Sequence, residues 1–119
     1  LFLTKSGNRM RHLQGIWVNA LLLGPSLAFI LLAHTMQVWV WAAAFMISGA
    51  LPDWNTSVYF SLISFTALGY GDIVLGPGLR IFGGFAAVTG LLGFGISTAF
   101  LVAVMGQALR RTPRFGSGE

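Results

Sequence analysis

The sequence predicts an all-α membrane protein with two transmembrane helices and a re-entrant segment between them. Three observations lead there. Of 119 residues, 55% are hydrophobic and only 8% are charged, whereas a soluble domain needs roughly a quarter charged residues to face water. The charges are loaded at the ends: Lys5, Arg9 and Arg11 precede the first long apolar stretch, Arg110, Arg111 and Arg114 follow the last, and Arg80 stands between. A third apolar run, Thr56 to Leu68, is too short to cross a bilayer, which takes about 20 residues.

The first segment, residues 1–24, reads as cytoplasmic and interfacial. Joining Leu13–Leu23 to the apolar stretch after it would give a helix of roughly 50 Å at about 1.5 Å per residue. That overshoots the hydrocarbon core, so 13–23 is expected to be an interfacial or kinked entry helix, with Arg9, Arg11 and His12 at the headgroups. A signal peptide is disfavoured because the apolar run exceeds the length of such a region. Gly24-Pro25 then suits a helix start, since proline at the first helical position loses no needed hydrogen bond. The outer span is accordingly expected over 25–48, stopped by Gly49 and Pro52.

Topology decides the short run. Were it a third span, the two basic ends would lie on opposite sides of the membrane, against the positive-inside bias. It must therefore enter and leave by one face, as a helix over 55–67 capped by Asp53 or Asn55. Residues 67–72 follow as an extended, glycine-rich exit. The second span is expected over 79–106, uncharged between Arg80 and Arg110, and 107–119 reads as a flexible cytoplasmic tail.

Composition excludes much. The chain has no cysteine, two histidines and three acids, Asp53, Asp72 and Glu119. No disulfide, thiol nucleophile or ordinary metal-ligand set is available, and enzymatic chemistry is not expected. The net charge of +4 sits on membrane flanks and not along a groove, so nucleic acid is not the expected partner. The glycine run lacks the lysine and preceding strand of a nucleotide loop.

The exit segment Thr66-Ala67-Leu68-Gly69-Tyr70-Gly71-Asp72 carries the chemistry. Non-helical backbone at membrane depth is tolerated only where protein buries it or it lines a watery path. Glycines at alternate positions permit φ values closed to other residues, so successive carbonyls can be turned one way. Such oxygens replace the water shell of a dehydrated cation.

Gly69-Tyr70-Gly71-Asp72, placed after a short helix and between two spans, resembles the selectivity filter of the potassium channel superfamily, and 25–106 resembles the pore domain of its bacterial two-transmembrane members. The resemblance implies a homo-tetramer in the bacterial plasma membrane, with both termini cytoplasmic. It also implies passive K+ conduction, with K+ as the permeant ion, no other cofactor, membrane lipid as surroundings and no soluble substrate. Carried over, it makes Ala67, Leu68, Gly69, Tyr70 and Gly71 the carbonyl donors, with Thr66 and Asp72 supporting them. Leu68 replaces the usual valine or isoleucine. Ala67 replaces a threonine whose hydroxyl joins the innermost ion site, so weaker binding there and relaxed selectivity are expected. Ile63 replaces a carboxylate and Phe60 an indole, leaving Tyr59 or Trp54 as alternative braces for Asp72 and Tyr70. A weakly selective cation channel and a non-conducting channel-like scaffold are the competing readings.

On the second span, Gly90 is either a hinge, as the resemblance implies, or a close-packing glycine, the reading helix packing in membranes favours. Leu91, Gly95, Thr98 and Val102 recur at helical spacing and form a candidate cavity face, with Val102 and Met105 as a lower constriction. His34 and Gln37 are polar positions inside the first span, expected to bond Ser61, Ser64 or a neighbouring helix, with proton sensing by His34 as the functional alternative. Trp17, Trp39, Trp41 and Trp54 are expected as interface anchors, and Arg80 as a cap pairing with Asp72 or Asp53 or snorkelling to headgroups.

Overall fold

The computed structural model describes residues 2–111, and the tail 112–119 lies outside them, as do the side chains of Lys5, Arg9, Arg11 and His12. The described residues form three helices: α1 (Phe2–Ile47), α2 (Trp54–Phe65) and α3 (Arg80–Arg111). Among them are no strands, and two helices are long and apolar enough to cross a membrane, through Gln14–Ile47 and Arg80–Arg110.

Helix α1 departs from the expected start. It runs through Pro25 without a break, so 13–23 is continuous with the outer span and Pro25 does not start a new helix. Proline removes one N–H bond and its ring crowds the carbonyl four residues back, a local cost that the helix carries here. One residue on, the Ser26 hydroxyl donates to the Leu22 carbonyl at 2.8 Å, adding a polar contact in the same turn. The apolar residues on both sides supply continuous helix propensity, which outweighs a single breaker. At 46 residues α1 has more than twice the roughly 20 that a hydrocarbon core needs.

The chain divides into two compact units, one of residues up to Phe29 and from Thr98 onward, the other Ile30–Ser97. In the first unit, Ala108 on α3 is buried, whereas Trp17, Leu21 and Leu109 are exposed.

The Ile30–Ser97 unit holds the core. Phe45, Leu51, Phe60, Ile63, Leu75 and Ala86 are buried together, with Trp41, Tyr59 and Phe82 against them. Phe45 meets Phe60 edge-on at 5.1 Å and Phe82 at 5.4 Å, geometries that align a ring edge with a neighbouring face. Trp41 donates its Nε1–H to Thr89 Oγ1 at 2.9 Å, and His34 reaches Ser97 at 2.9 Å. Contact positions rise on α1 as they fall on α3, so the two helices run antiparallel within this unit. Trp41 is thereby turned inward, a correction to its expected place as an interface anchor. Trp39 and Trp54 pair with each other at 5.8 Å.

Helix α2 is seated by two serine hydroxyls. Ser61, fully buried, donates to the Val38 carbonyl of α1 at 2.7 Å, and the hydroxyl of Ser57, also fully buried, lies 3.9 Å from the Met46 sulfur of α1 while donating within its own turn to the Asp53 carbonyl at 2.9 Å. Packing and interhelical hydrogen bonds of this kind hold helices together where lipid tails remove the hydrophobic drive.

Candidate functional site

Asp53 starts α2. Its backbone is extended (φ −147°, ψ 164°), and its carboxylate accepts the Thr56 N–H at 2.9 Å and the Thr56 hydroxyl at 2.6 Å. Of the two caps the sequence offered, Asp53 is the one used. These bonds to the charged form hold the Asp53 carboxyl below its ordinary value, the Thr56 hydroxyl contributing most.

The other end of α2 comes two residues earlier than the expected 55–67. Thr66 is its C-cap, and its hydroxyl donates back to the Leu62 carbonyl at 2.8 Å. Ala67 follows at φ +58°, a left-handed conformation that no helix can continue through. Gly69 (φ +56°) and Gly71 (φ +78°) repeat it at alternate positions. Alternate glycines signalled the last two. Nothing in an alanine signals the first, which costs an L-residue roughly 1–2 kcal/mol.

The amides of this segment turn back toward α2. Ala67 N–H donates to the Ser64 carbonyl at 2.9 Å and Gly69 N–H to the Ile63 carbonyl at 3.0 Å. Among the described residues, no hydrogen bond is made to the carbonyls of residues 66 to 72. Leu68, Gly69, Tyr70 and Gly71 are exposed, with Tyr70 at 69% and Leu68 at 56%.

Asp72 closes the segment. Tyr59 on α2 donates its hydroxyl to Asp72 Oδ2 at 2.6 Å, the length of a charge-assisted bond. The carboxylate acceptor, foremost among the causes, raises the Tyr59 phenol above its ordinary value. Of the alternative braces, Tyr59 is engaged, while Trp54 lies tilted against Trp39 and Phe60 is buried against Phe45. Arg80 pairs with neither aspartate in these contacts: its Nε donates to the Leu75 carbonyl at 3.4 Å. A cavity of about 360 Å³ lies behind the segment, between Ile63 and Ser64 of α2, Gly69, and Gly83 of α3.

Gly90 of α3 lies directly against the end of α2. A Cβ there would stand 2.7 Å from the carbonyl carbon of Phe65 and closer still to its oxygen. The packing reading of Gly90 accounts for this glycine. Leu91, Gly95, Thr98, Val102 and Met105 are all exposed on α3, whereas Gly90 is buried and turned to α2, away from that row. His34 and Gln37 do not reach Ser61 or Ser64. His34 Nδ1 lies 3.1 Å from Gln37 Oε1, and Nε2 lies 2.9 Å from Ser97 Oγ on α3. Among the described residues, no three His, Asp or Glu side chains gather as a metal-ligand cluster.

Comparison with known proteins bears on this arrangement directly. No curated protein and no solved structure matches the chain. The family model described as "Ion channel" matches residues 26–107, which takes in the C-terminal part of α1, all of α2, the 66–72 segment and most of α3. The match spans well over half of the chain, and the described residues hold two helices long and apolar enough to cross a membrane, so this protein is a membrane protein of the ion channel family, with a potassium-channel-like pore domain.

Proposed function

We propose that the chain is a potassium-selective channel subunit, four copies of which surround a central pore. One observation carries the reading: positive φ at Ala67, Gly69 and Gly71, alternating with ordinary backbone, along a segment whose carbonyls accept no hydrogen bond among the described residues. Such oxygens are free to replace the hydration of an alkali cation. A single strand of them cannot surround an ion, so identical strands must face one another across an axis. The exposure of Leu68 through Gly71 in one copy leaves that face available. The open groove behind the segment, at Ile63, Ser64 and Gly83, then takes the neighbouring copy.

In this assembly α2 is the pore helix. Its carboxyl end, at Phe65 and Thr66, carries the partial negative charge of aligned peptide dipoles and favours a cation in the cavity below. Residues 67–72 are the filter, with Ala67, Leu68, Gly69, Tyr70 and Gly71 presenting carbonyls, Thr66 ending the helix behind them and Asp72 fixed by Tyr59. Ions pass in single file, each displaced by the repulsion of the next, down their electrochemical gradient. The exposed row Leu91, Gly95 and Thr98 faces the cavity, with Val102 and Met105 as its lower constriction. The basic ends support a topology with both termini in the cytoplasm, and the likeness to bacterial two-transmembrane channels supports an inner membrane as its setting.

Ala67 favours a second reading, a cation channel of weak selectivity, because the innermost site gains no side-chain oxygen. Reversal potentials of protein reconstituted in planar bilayers, with K+ on one side and Na+ on the other, separate the two. A potential far toward the K+ equilibrium value supports the first, and a value near zero with large current supports the second. An assembled oligomer that passes no current in either ion leaves only a channel-like scaffold.

A further inference from the structure

Three aromatic rings meet where α2 ends. The His34 imidazole lies 4.6 Å from the Phe94 ring and 5.8 Å from the Phe65 ring, and Phe65 lies 5.7 Å from Phe94. Phe65 is 1% exposed and is the last residue of α2, two residues before the left-handed Ala67. The imidazole in this cluster is held from both sides. Gln37, one turn along α1, meets Nδ1 at 3.1 Å, and Ser97 of α3 meets Nε2 at 2.9 Å. Gly93 leaves the room: a Cβ there would stand 3.2 Å from His34 Cε1. A polar ring inside an apolar span is costly unless it is bonded, and here both nitrogens are engaged.

Residue 67 makes this restraint matter. Its side chain is a methyl group, with no hydroxyl to bond and no branch to wedge, and its backbone sits in a conformation that the surroundings must impose. The amide of Ala67 is tied to Ser64 and that of Gly69 to Ile63, so the direction of the innermost carbonyls follows the position of the last turn of α2. That turn is located by Phe65 wedged between His34 and Phe94, and by its carbonyl against Gly90.

We propose that His34, clamped by Ser97 and Gln37, is a positioning residue for the inner end of the filter, acting through Phe65 to set ion selectivity. The inference rests on the proposed channel function. It assigns to an outer-helix histidine a part in discrimination that the filter residues do not supply for themselves.

The test is the K+ to Na+ permeability ratio from bi-ionic reversal potentials of the full chain. His34→Phe keeps a ring of similar size and loses both hydrogen bonds; Ser97→Ala loses one of them with little change in volume. Each lowers the ratio about fivefold, the order expected from losing the hydrogen bond to Ser97 that both remove. The double variant falls no further than the worse single one, since both remove the same contact. Ser97→Thr keeps the hydroxyl and retains the ratio. Trp41→Phe, which breaks another α1–α3 side-chain bond, at Thr89, also retains it.

If His34→Phe and Ser97→Ala both conduct with the wild-type ratio, or if Trp41→Phe lowers it equally, the proposal is overturned. Should His34→Phe fail to assemble, the contrast between Ser97→Ala and Ser97→Thr decides alone. A wild-type protein that assembles but does not conduct overturns the channel reading before any variant is compared, and this inference with it.

Discussion

The α-carbon of Gly90 on α3 packs against the carbonyl of Phe65 at the end of α2, so closely that a Cβ would stand 2.7 Å from the carbonyl carbon. Backbone meets backbone there, and no flexible side chain can yield. Gly90→Ala therefore separates α2 from α3 at a cost of about 1–3 kcal/mol or more, set against at most about 1 kcal/mol of gained helix propensity. Gly95, with open space around it, is the control, and Gly95→Ala is neutral or stabilising. Thermal dissociation of the detergent-purified oligomer measures both; equal melting of the two alanine variants would count against the packing role.

Tyr59 and Asp72 give a second prediction. Because the phenol is raised above its ordinary value of 10.0, foremost by its bond to Asp72, this brace is fully present below pH 10 and is lost as pH rises through the higher folded value. Stability of the oligomer in K+ should fall in that alkaline window. In Tyr59→Phe the bond is already gone, so the variant starts lower and shows a smaller alkaline step. An identical step in both proteins would mean that some other group titrates.

Asp53 has the opposite sign. Its carboxyl is held below 3.8, chiefly by the Thr56 hydroxyl, so the cap contributes above the ordinary value and is lost as pH falls through the lower folded one. Asp53→Asn keeps an N-cap acceptor and melts close to wild type at neutral pH, with a weakened response to acid. Asp53→Ala removes the acceptor and melts lower. Circular dichroism melts between pH 2 and 7 report both, and a wild-type acid response in Asp53→Ala would show that the cap is not its source.

Ala67 offers a test of strain and of chemistry in one position. At φ +58°, glycine is easier to accommodate than alanine, so Ala67→Gly keeps the carbonyl geometry and stabilises by up to about 1 kcal/mol. Ala67→Ser restores a hydroxyl without the β-branch that this conformation resists, and raises the K+ to Na+ permeability ratio. Reversal potentials check the second outcome; an unchanged ratio would remove the hydroxyl argument for weak inner-site binding.

Much of this arrangement is written in the residues. The two apolar stretches, the short run between them and the end-loaded charges anticipate the order of α1, α2 and α3, because burial in lipid leaves few other solutions for a chain so poor in charge. Gly69 and Gly71 announce their positive φ in the same way. Ala67 does not, since its conformation is imposed by the helix end before it. Pro25 misleads, because a local breaker removes one hydrogen bond while long apolar flanks keep the helix running. The fates of Trp41 and His34 depend on which α3 residue stands opposite, Thr89 and Ser97, and such pairings lie beyond any pattern within one helix.

The central claim, that backbone oxygens from facing copies of residues 67–71 take the place of water around K+, is tested most directly by ion density in a structure of the reconstituted protein. Parallel determinations in K+ and in Na+ should show a four-copy ring, with successive peaks on its axis at the level of these carbonyls in K+ and a weaker or altered row in Na+. A monomer, or a ring whose axis is empty in K+, would contradict it.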